Sequence, residues 1–244
     1  MNNIEELVVK ANNGDKDASY DLGFIYSEGV LVPRNYKISY DWYMKSISQG
    51  NIKAYHRVGL IHYSGVLGSV DYNLAFEYVN KSVNLGNLEA ERFLSVLYFK
   101  GQGVEKDDNK AFEYVVKSAN NFNSEAQLQL GVFYENGFIV KKDLNQAFEW
   151  YLKSAKNNND EGQFQVGLCY YNGDGVDKDL SQSFYWFNKS SEQKNDKALF
   201  RMALFYIEGI YVSRDIYQGR KYMLDAALKG NINATRWLNT HDNL

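Results

Sequence analysis

The chain has 244 residues, 45% of them hydrophobic, and a net charge of −3: enough apolar material for a core, and too little positive charge to draw nucleic acid or an anionic membrane surface. Its single cysteine, Cys169, excludes an internal disulfide and favours a reducing compartment, so a cytoplasmic location is expected. No apolar run approaches the ~18 residues of a bilayer span, so no membrane insertion is expected, and the opening MNNIEELVVKANNGDKDA, with early acids and a short apolar run, does not read as a secretory signal.

In chain order, Ile4 to Ala11 reads as a lone helix inside a capping half-unit over residues 1–13. A period of 36 residues then governs the chain. Such a period has to be tested first, because repetition turns apparent motifs into punctuation. Small residues recur at Ala18, Ala54, Ala90, Ala126, Gly162, Ala198 and Ala234. An aliphatic-plus-small pair follows, as in Leu22-Gly23, Val58-Gly59, Leu130-Gly131 and Val166-Gly167, then Tyr26, His62, Tyr98, Tyr134, Tyr170 and Tyr206. Glycine closes each block at 29, 65, 101, 137, 173 and 209. Repeats are expected at 14–49, 50–85, 86–121, 122–157, 158–193 and 194–230. A C-terminal capping half-unit over 231–244 follows, with Asn233 to Asn239 as a trailing helix. One array without a domain break is expected.

Within each repeat the pattern predicts helix A, a glycine-ended turn and helix B. In the second repeat helix A spans about Lys53 to Ser64, with Ala54, Val58, Ile61 and His62 at helical spacing. The closing glycine supplies a left-handed C-terminal conformation. Asn35, Asp71, Asp107, Asp143, Asp179 and Asp215 stand where helix B needs an N-cap, and Gln146, Gln182 and Gln218 three residues on suggest a capping box. In this frame YYNGDGVDKD (170–179), which looks at first like a calcium or phosphate loop, is repeat punctuation. An EF-hand counted from Asp174 would need Glu where Tyr185 stands. Helix B carries small residues at Ser39, Ala75, Ala111, Ala147, Ser183 and Gly219, then aromatics at Trp42, Tyr78, Tyr114, Trp150, Trp186 and Tyr222, expected to fill the space beside the small row. It ends on Lys-Ser pairs such as Lys153-Ser154, a cation at the helix C-terminus. Asn-rich joins such as Lys156 to Asp160 read as solvated turns.

The pattern A-x3-L-G-x2-Y-x2-G, a G-V-containing turn, then D-x3-A-x2-W-x2-K-[AS], clearest from Ala126 through Ser154, resembles the Sel1-like repeats, relatives of the tetratricopeptide repeats. The resemblance implies an all-α fold: a right-handed α-solenoid of antiparallel helix pairs with a concave inner face. Solenoid physics agrees, since no single unit buries its own apolar face. Ser95, Ala203, Gly219 and Asp225 depart from the pattern and bear on local packing rather than fold.

Catalysis needs convergent groups, and few are offered. His56 and His62 do not share a helix face and no second pair offers metal-ligand spacing, so no metal or cofactor is expected; His62 occupies the tyrosine row and is expected to be a core residue. Cys169 occupies an aliphatic row and reads as a buried small hydrophobe. Some Sel1-like proteins are linked to β-lactam binding or hydrolysis, which makes Ser191-Glu192-Gln193-Lys194 (S-x-x-K) a candidate. No K-T-G accompanies it, and the expectation is a non-enzymatic protein.

Rows that change between repeats are free to serve recognition. By analogy with tetratricopeptide repeats, helix A lines the concave face. One inner row is Tyr20, His56, Arg92, Leu128, Phe164, Phe200 and Arg236; another is Ser27, Tyr63, Phe99, Glu135, Tyr171 and Ile207. Between them Phe24, Leu60, Val96, Val132, Leu168 and Leu204 form a uniformly apolar row expected to lean into the core. Phe164, Tyr171 and Phe200 are the best-defined expected patch. The sequence-level expectation is a scaffold that binds a peptide or protein partner in its groove. A bacterial immunity protein that neutralises a cognate toxin is one alternative, and a serine hydrolase acting on β-lactams is another.

Overall fold

A computed structural model describes residues 2–241; Met1 and residues 242–244, the extremes of the two terminal half-units, lie outside the described residues. Among the described residues there are fourteen α-helices and one 3₁₀ turn, with no strand. The all-α architecture of consecutive packed helix pairs is as expected. The chain falls into two compact units, Met1–Ser118 and Ala119–Leu244.

The first unit holds α1 (Asn2–Asn12), the pair α2 (Lys16–Glu28) and α3 (Tyr36–Ser48), the pair α4 (Ile52–Ser64) and α5 (Tyr72–Asn84), then a 3₁₀ turn (Leu88–Ala90) leading into α6 (Glu91–Lys100), and α7 (Asp108–Asn120) up to its last turn. The second unit holds the pairs α8 (Ser124–Asn136) with α9 (Leu144–Lys156), α10 (Asp160–Asn172) with α11 (Leu180–Glu192), and α12 (Asp196–Glu208) with α13 (Ile216–Leu228), followed by α14 (Ile232–Thr240).

The turns obey the predicted chemistry with one correction. Each closing glycine is left-handed, φ running from 64° at Gly101 to 88° at Gly173. All six predicted caps accept from the first turn of helix B, for example Asp143 Oδ1 from Gln146 N at 3.0 Å and Asp107 Oδ1 from Lys110 N at 2.9 Å. The capping box, however, lacks its glutamine half. The cap residue's own N–H donates to the carbonyl of the tyrosine row: Asn35 to Tyr26, Asp71 to His62, Asp107 to Tyr98, Asp143 to Tyr134, Asp179 to Tyr170 and Asp215 to Tyr206, all within 2.9–3.0 Å. Each turn is therefore clamped at both ends by backbone and carboxylate, and the glutamine side chain is not needed.

The two glycines of the NGDG corner have different jobs. Gly173 ends α10 with φ 88°, and a Cβ there would meet nothing nearer than 3.7 Å. Gly175 has φ 71°, and a Cβ there would fall 2.0 Å from the Leu144 carbonyl oxygen. Gly103 stands in the same way against Tyr72 O, at 1.8 Å. These corners press backbone to backbone against the preceding helix B.

A second correction concerns what fills the space beside the small row. A Cβ on Gly23 would fall 2.5 Å from Tyr43, on Gly131 2.5 Å from Tyr151, and on Gly167 2.6 Å from Phe187. The side chains packed there are thus Tyr43, Val79, Val115, Tyr151, Phe187 and Met223, all buried, each one residue past the aromatics predicted for the role. Trp42, Tyr78, Tyr114, Trp150, Trp186 and Tyr222 are only half-buried. Ser39 Oγ donates to Gly23 O at 2.7 Å and Ser183 Oγ to Gly167 O at 2.9 Å, so the closest approach is also hydrogen-bonded. Ser95 and Ala203, both buried, occupy the glycine position in the third and sixth repeats, and Ala203 packs in one cluster with Met223.

The serine of each Lys-Ser pair has a role of its own. Ser46, Ser82, Ser154 and Ser190 are buried and donate to Lys16 O, Ile52 O, Ser124 O and Asp160 O at 2.7–3.0 Å, tying the end of helix B to the start of helix A. In the third repeat, where helix A begins with the 3₁₀ turn, Ser118 Oγ is buried without such a bond among the described residues. The Asn-rich joins are likewise more than solvated turns. Asn159 Oδ1 caps α10, accepting from Gly162 N at 2.8 Å, and Asn157 Nδ2 donates to Gln127 Oε1 at 2.8 Å.

Candidate partner-binding surfaces

In the first unit the predicted residues gather around two side chains the sequence analysis passed over, Arg57 and Phe93. Tyr20 on α2 is half-buried, and its hydroxyl accepts from Arg57 Nε at 2.9 Å. The Arg57 guanidinium carbon lies 6.0 Å from the Tyr20 ring centre and 5.6 Å from that of Phe24, the geometry in which a cation is held by a ring's negative face. Phe93 packs edge-on to Tyr63 at 4.9 Å and 6.0 Å from His56. Tyr63 also meets Tyr72 at 5.5 Å and accepts from Lys100 Nζ at 3.3 Å. His56 turns further inward than a groove residue should. Its Nε2 is buried without a partner among the described residues. Burial, with Arg57 and Arg92 adding repulsion, pushes its pKa down to about 4, so the ring is neutral at pH 7. Arg92 is half-buried, and Phe99 is exposed with Lys106 Nζ 5.6 Å above its ring.

In the second unit the predicted patch divides. Tyr171 is half-buried, with Lys178 and Arg201 each 5.7 Å from its ring centre and Phe205 packed against it at 6.0 Å. Phe164 is a correction. It is only 7% exposed, packs 5.6 Å from Phe187, and is covered by Lys197 at 5.7 Å, because the helix beside it closes over it. Phe200 and Ile207 are half-buried against the cluster of Leu199, Ala203 and Met223, and Leu128 against the cluster of Ala147, Tyr151 and Val166. Glu135 accepts from Tyr151 Oη at 2.9 Å and serves the interior. In the apolar middle row Leu60, Val96, Leu168 and Leu204 are half-buried, while Phe24 is 38% and Val132 37% exposed. At one helix A position the charge changes sign between repeats (Asp17, Lys53, Glu89, Glu125, Glu161, Lys197), and Lys53 pairs with Glu89 at 3.8 Å and Lys197 with Glu161 at 2.8 Å.

The residues considered for chemistry take structural places. Asp179 caps α11, and Asp174 accepts from Asn172 Nδ2 at 2.9 Å. Cys169 is buried, and burial with Asp174 and Glu135 nearby pushes its thiol up to about 12, away from the reactive thiolate. Ser191 is buried and donates to Asn188 O at 2.8 Å within its own helix, while Lys194 follows in a left-handed turn with φ 66°.

Arg57, Phe93 and Arg201 occupy one row, next to the first predicted row; its members are Asp21, Arg57, Phe93, Gln129, Gln165, Arg201 and Trp237. Its variation from copy to copy was the signal available in the sequence.

Packed helix pairs on a 36-residue period, each with a left-handed glycine after helix A and an Asp or Asn cap before helix B, define an α-repeat protein of the solenoid class. The profile of the Sel1 repeat matches residues 16–51, 52–87, 88–121, 124–159, 160–195 and 196–231. The chain belongs to the Sel1 repeat family. Among solved structures it is similar to a Sel1 repeat protein from Oxalobacter formigenes (TM-score 0.86, 27% identity, covering 96% of this chain and 68% of that one). It is also similar to c5321, a protective antigen present in uropathogenic Escherichia coli strains (TM-score 0.79, 28% identity, 95% of this chain), and spans half of that chain's length. The immunity protein PA5088 from Pseudomonas aeruginosa shares the fold (TM-score 0.61, 17% identity, 94% of this chain and 83% of that one). No curated protein matches the chain. Among the described residues no helix is long and apolar enough to cross a membrane.

Proposed function

We propose that this protein is a non-enzymatic, cytoplasmic scaffold that binds a peptide or protein partner on the helix A faces of its repeats. The observation that carries the reading is the pairing of cations with partly exposed rings at positions that differ from repeat to repeat: Arg57 with Tyr20 and Phe24, Lys106 with Phe99, and Lys178 and Arg201 with Tyr171. Tyr and Arg dominate binding hot spots because they bring large area and directed polarity at low entropic cost. The repeated residues are consumed by caps, turns and core. In the first unit the proposed surface centres on Tyr20, Arg57, Tyr63 and Phe99, and in the second on Tyr171 and Arg201. Phe164 is left out of the test because it is buried and its substitution would perturb the core.

The test is capture of partners from lysate of the native host by the parent protein and by a Phe99→Ser, Tyr171→Ser, Arg201→Ser variant. The expected result is loss of specifically captured protein at unchanged helicity and melting. Identical capture by parent and variant removes the surface assignment. A cognate toxin is one partner class this reading admits, and rescue of growth on co-expression with an adjacent-gene toxin tests that narrower role.

A further inference from the structure

Two repeats place a tyrosine against the glycine of helix A, and they treat its hydroxyl differently. In the fourth repeat Tyr151 Oη donates to Glu135 Oε2 at 2.9 Å. In the first, the residue at the position of Glu135 is Ser27, and Tyr43 Oη is buried with no hydrogen-bond partner among the described residues. Ser27 lies close enough to ease ionisation of the Tyr43 phenol but stands outside good hydrogen-bond geometry with it, its own proton going to Phe24 O at 2.9 Å. Burial pushes Tyr43 up to about 12, so it remains an O–H donor at any ordinary pH. A buried donor without an acceptor costs about 1–3 kcal/mol, which makes this vacant valence worth explaining.

Tyr43 lines a cleft of about 370 Å³ inside the first unit. Arg57 is its cation, Ser27, Tyr36, Tyr43, Tyr63 and Ser64 bring hydroxyls, Leu60, Ile61 and Phe93 are part of its apolar wall, and Glu28 is its one carboxylate. Arg57 is half-buried and Glu28 exposed, so water screens the anion more than the cation. Arg57 spends Nε on Tyr20 Oη; its guanidinium still presents a fork suited to carboxylate.

We propose that this cleft binds a carboxylate from a peptide partner, which supplies to Tyr43 and Arg57 the acceptor that Glu135 supplies to Tyr151 within the chain. Tyr43 is 1% exposed, so the entering oxygen displaces the Ser27 hydroxyl, held by its one bond to Phe24 O. The apolar wall takes the side chain beside the carboxylate. The inference extends the binding role proposed above by naming a ligand chemistry, and its test uses small probes, so its failure is distinguishable from failure of partner capture.

Three probes are titrated into the full-length protein and followed by calorimetry and by NMR shifts of first-unit amides: N-acetyl-Leu-Leu with a free C-terminus, the same dipeptide as its amide, and N-acetyl-Leu-Glu-amide. The expected result is saturable binding of at least one acid, about tenfold or more tighter than the neutral amide. Preference for the first acid assigns a chain terminus, and preference for the third an acidic side chain. Tyr43→Phe and Arg57→Gln each remove the discrimination, Glu28→Gln strengthens acid binding, and Tyr114→Phe, outside the cleft, leaves it unchanged. Tyr43→Phe deletes a hydroxyl with no partner, so it is expected to fold as the parent does. Equal affinity for all three probes, or no saturable binding at millimolar concentration, overturns the proposal.

Discussion

Two glycines two residues apart, Gly173 and Gly175, offer a matched test of how these corners are built. Both have positive φ, 88° and 71°, so alanine at either pays for a left-handed backbone, about 1 kcal/mol. They differ in surroundings. Around Gly173 a new Cβ meets ordinary contact at 3.7 Å, whereas at Gly175 it lands 2.0 Å from the Leu144 carbonyl oxygen. Backbone cannot swing aside as a side-chain tip can, so the corner must move off α9, which adds an overpacking cost of about 1–3 kcal/mol. Gly173→Ala is therefore expected to lose about 1 kcal/mol and Gly175→Ala about 3. At roughly 2–4 °C per kcal/mol in a chain of this size, the two melting temperatures should differ by about 4–8 °C. Urea titration and thermal melts followed by circular dichroism measure both. Equal losses would refute the close-approach reading and leave φ as the sole constraint.

The paired tyrosines give a second contrast: Tyr151→Phe strands the Glu135 carboxylate and should cost about 1–3 kcal/mol, while Tyr43→Phe, which removes an unpaired buried donor, should stabilise by about 1 kcal/mol in urea titrations. His56 has a folded pKa of about 4 against an ordinary 6.5, so the unfolded chain binds more protons between those values. The share of stability it controls is present above about pH 6.5 and is lost as pH falls toward 4. After allowance for its partial exposure this amounts to about 2 kcal/mol, and a His56→Gln variant should show a shallower loss in melts at pH 7 and pH 4.5. Asp143→Ala removes the acceptor for Gln146 N and should cost about 1 kcal/mol, whereas Gln146→Ala, whose side chain is not required for the cap, should be near neutral in the same assay.

The periodic residues made the fold legible. Glycine with left-handed φ, acid at the cap and small residue at the helix crossing each have a local physical reason, and six copies average out chance. The rows that failed did so for tertiary reasons. A helix turns 100° per residue, so the ring facing Gly131 is Tyr151 and not Trp150, and sequence spacing alone does not fix that rotation. Phe164 reads as a groove ring from its variability, yet neighbouring helices and Lys197 close over it. The serine after each lysine gave no local hint of its reach back to the start of helix A, a bond spanning 30 residues as in Ser154 to Ser124. Variability separates scaffold from surface only when burial is known as well.

The asparagines that begin helix A carry an implication for how such a chain can change length. Asn195 caps α12 through Oδ1 and gives Nδ2 to Asp160 Oδ2 at 2.9 Å; Asn231 caps α14 and gives Nδ2 to Asp196 Oδ2 at 2.9 Å; Asn51 caps α4 and reaches Asp17 Oδ1 at 3.1 Å. One side chain thus sets where its helix starts and how far that start stands from the previous one. Gain or loss of a single residue between two such asparagines would misplace one function or the other, while excision of a whole block would preserve both. Growth and shrinkage by complete modules, with no drift in module size, is the mode of variation this joint permits.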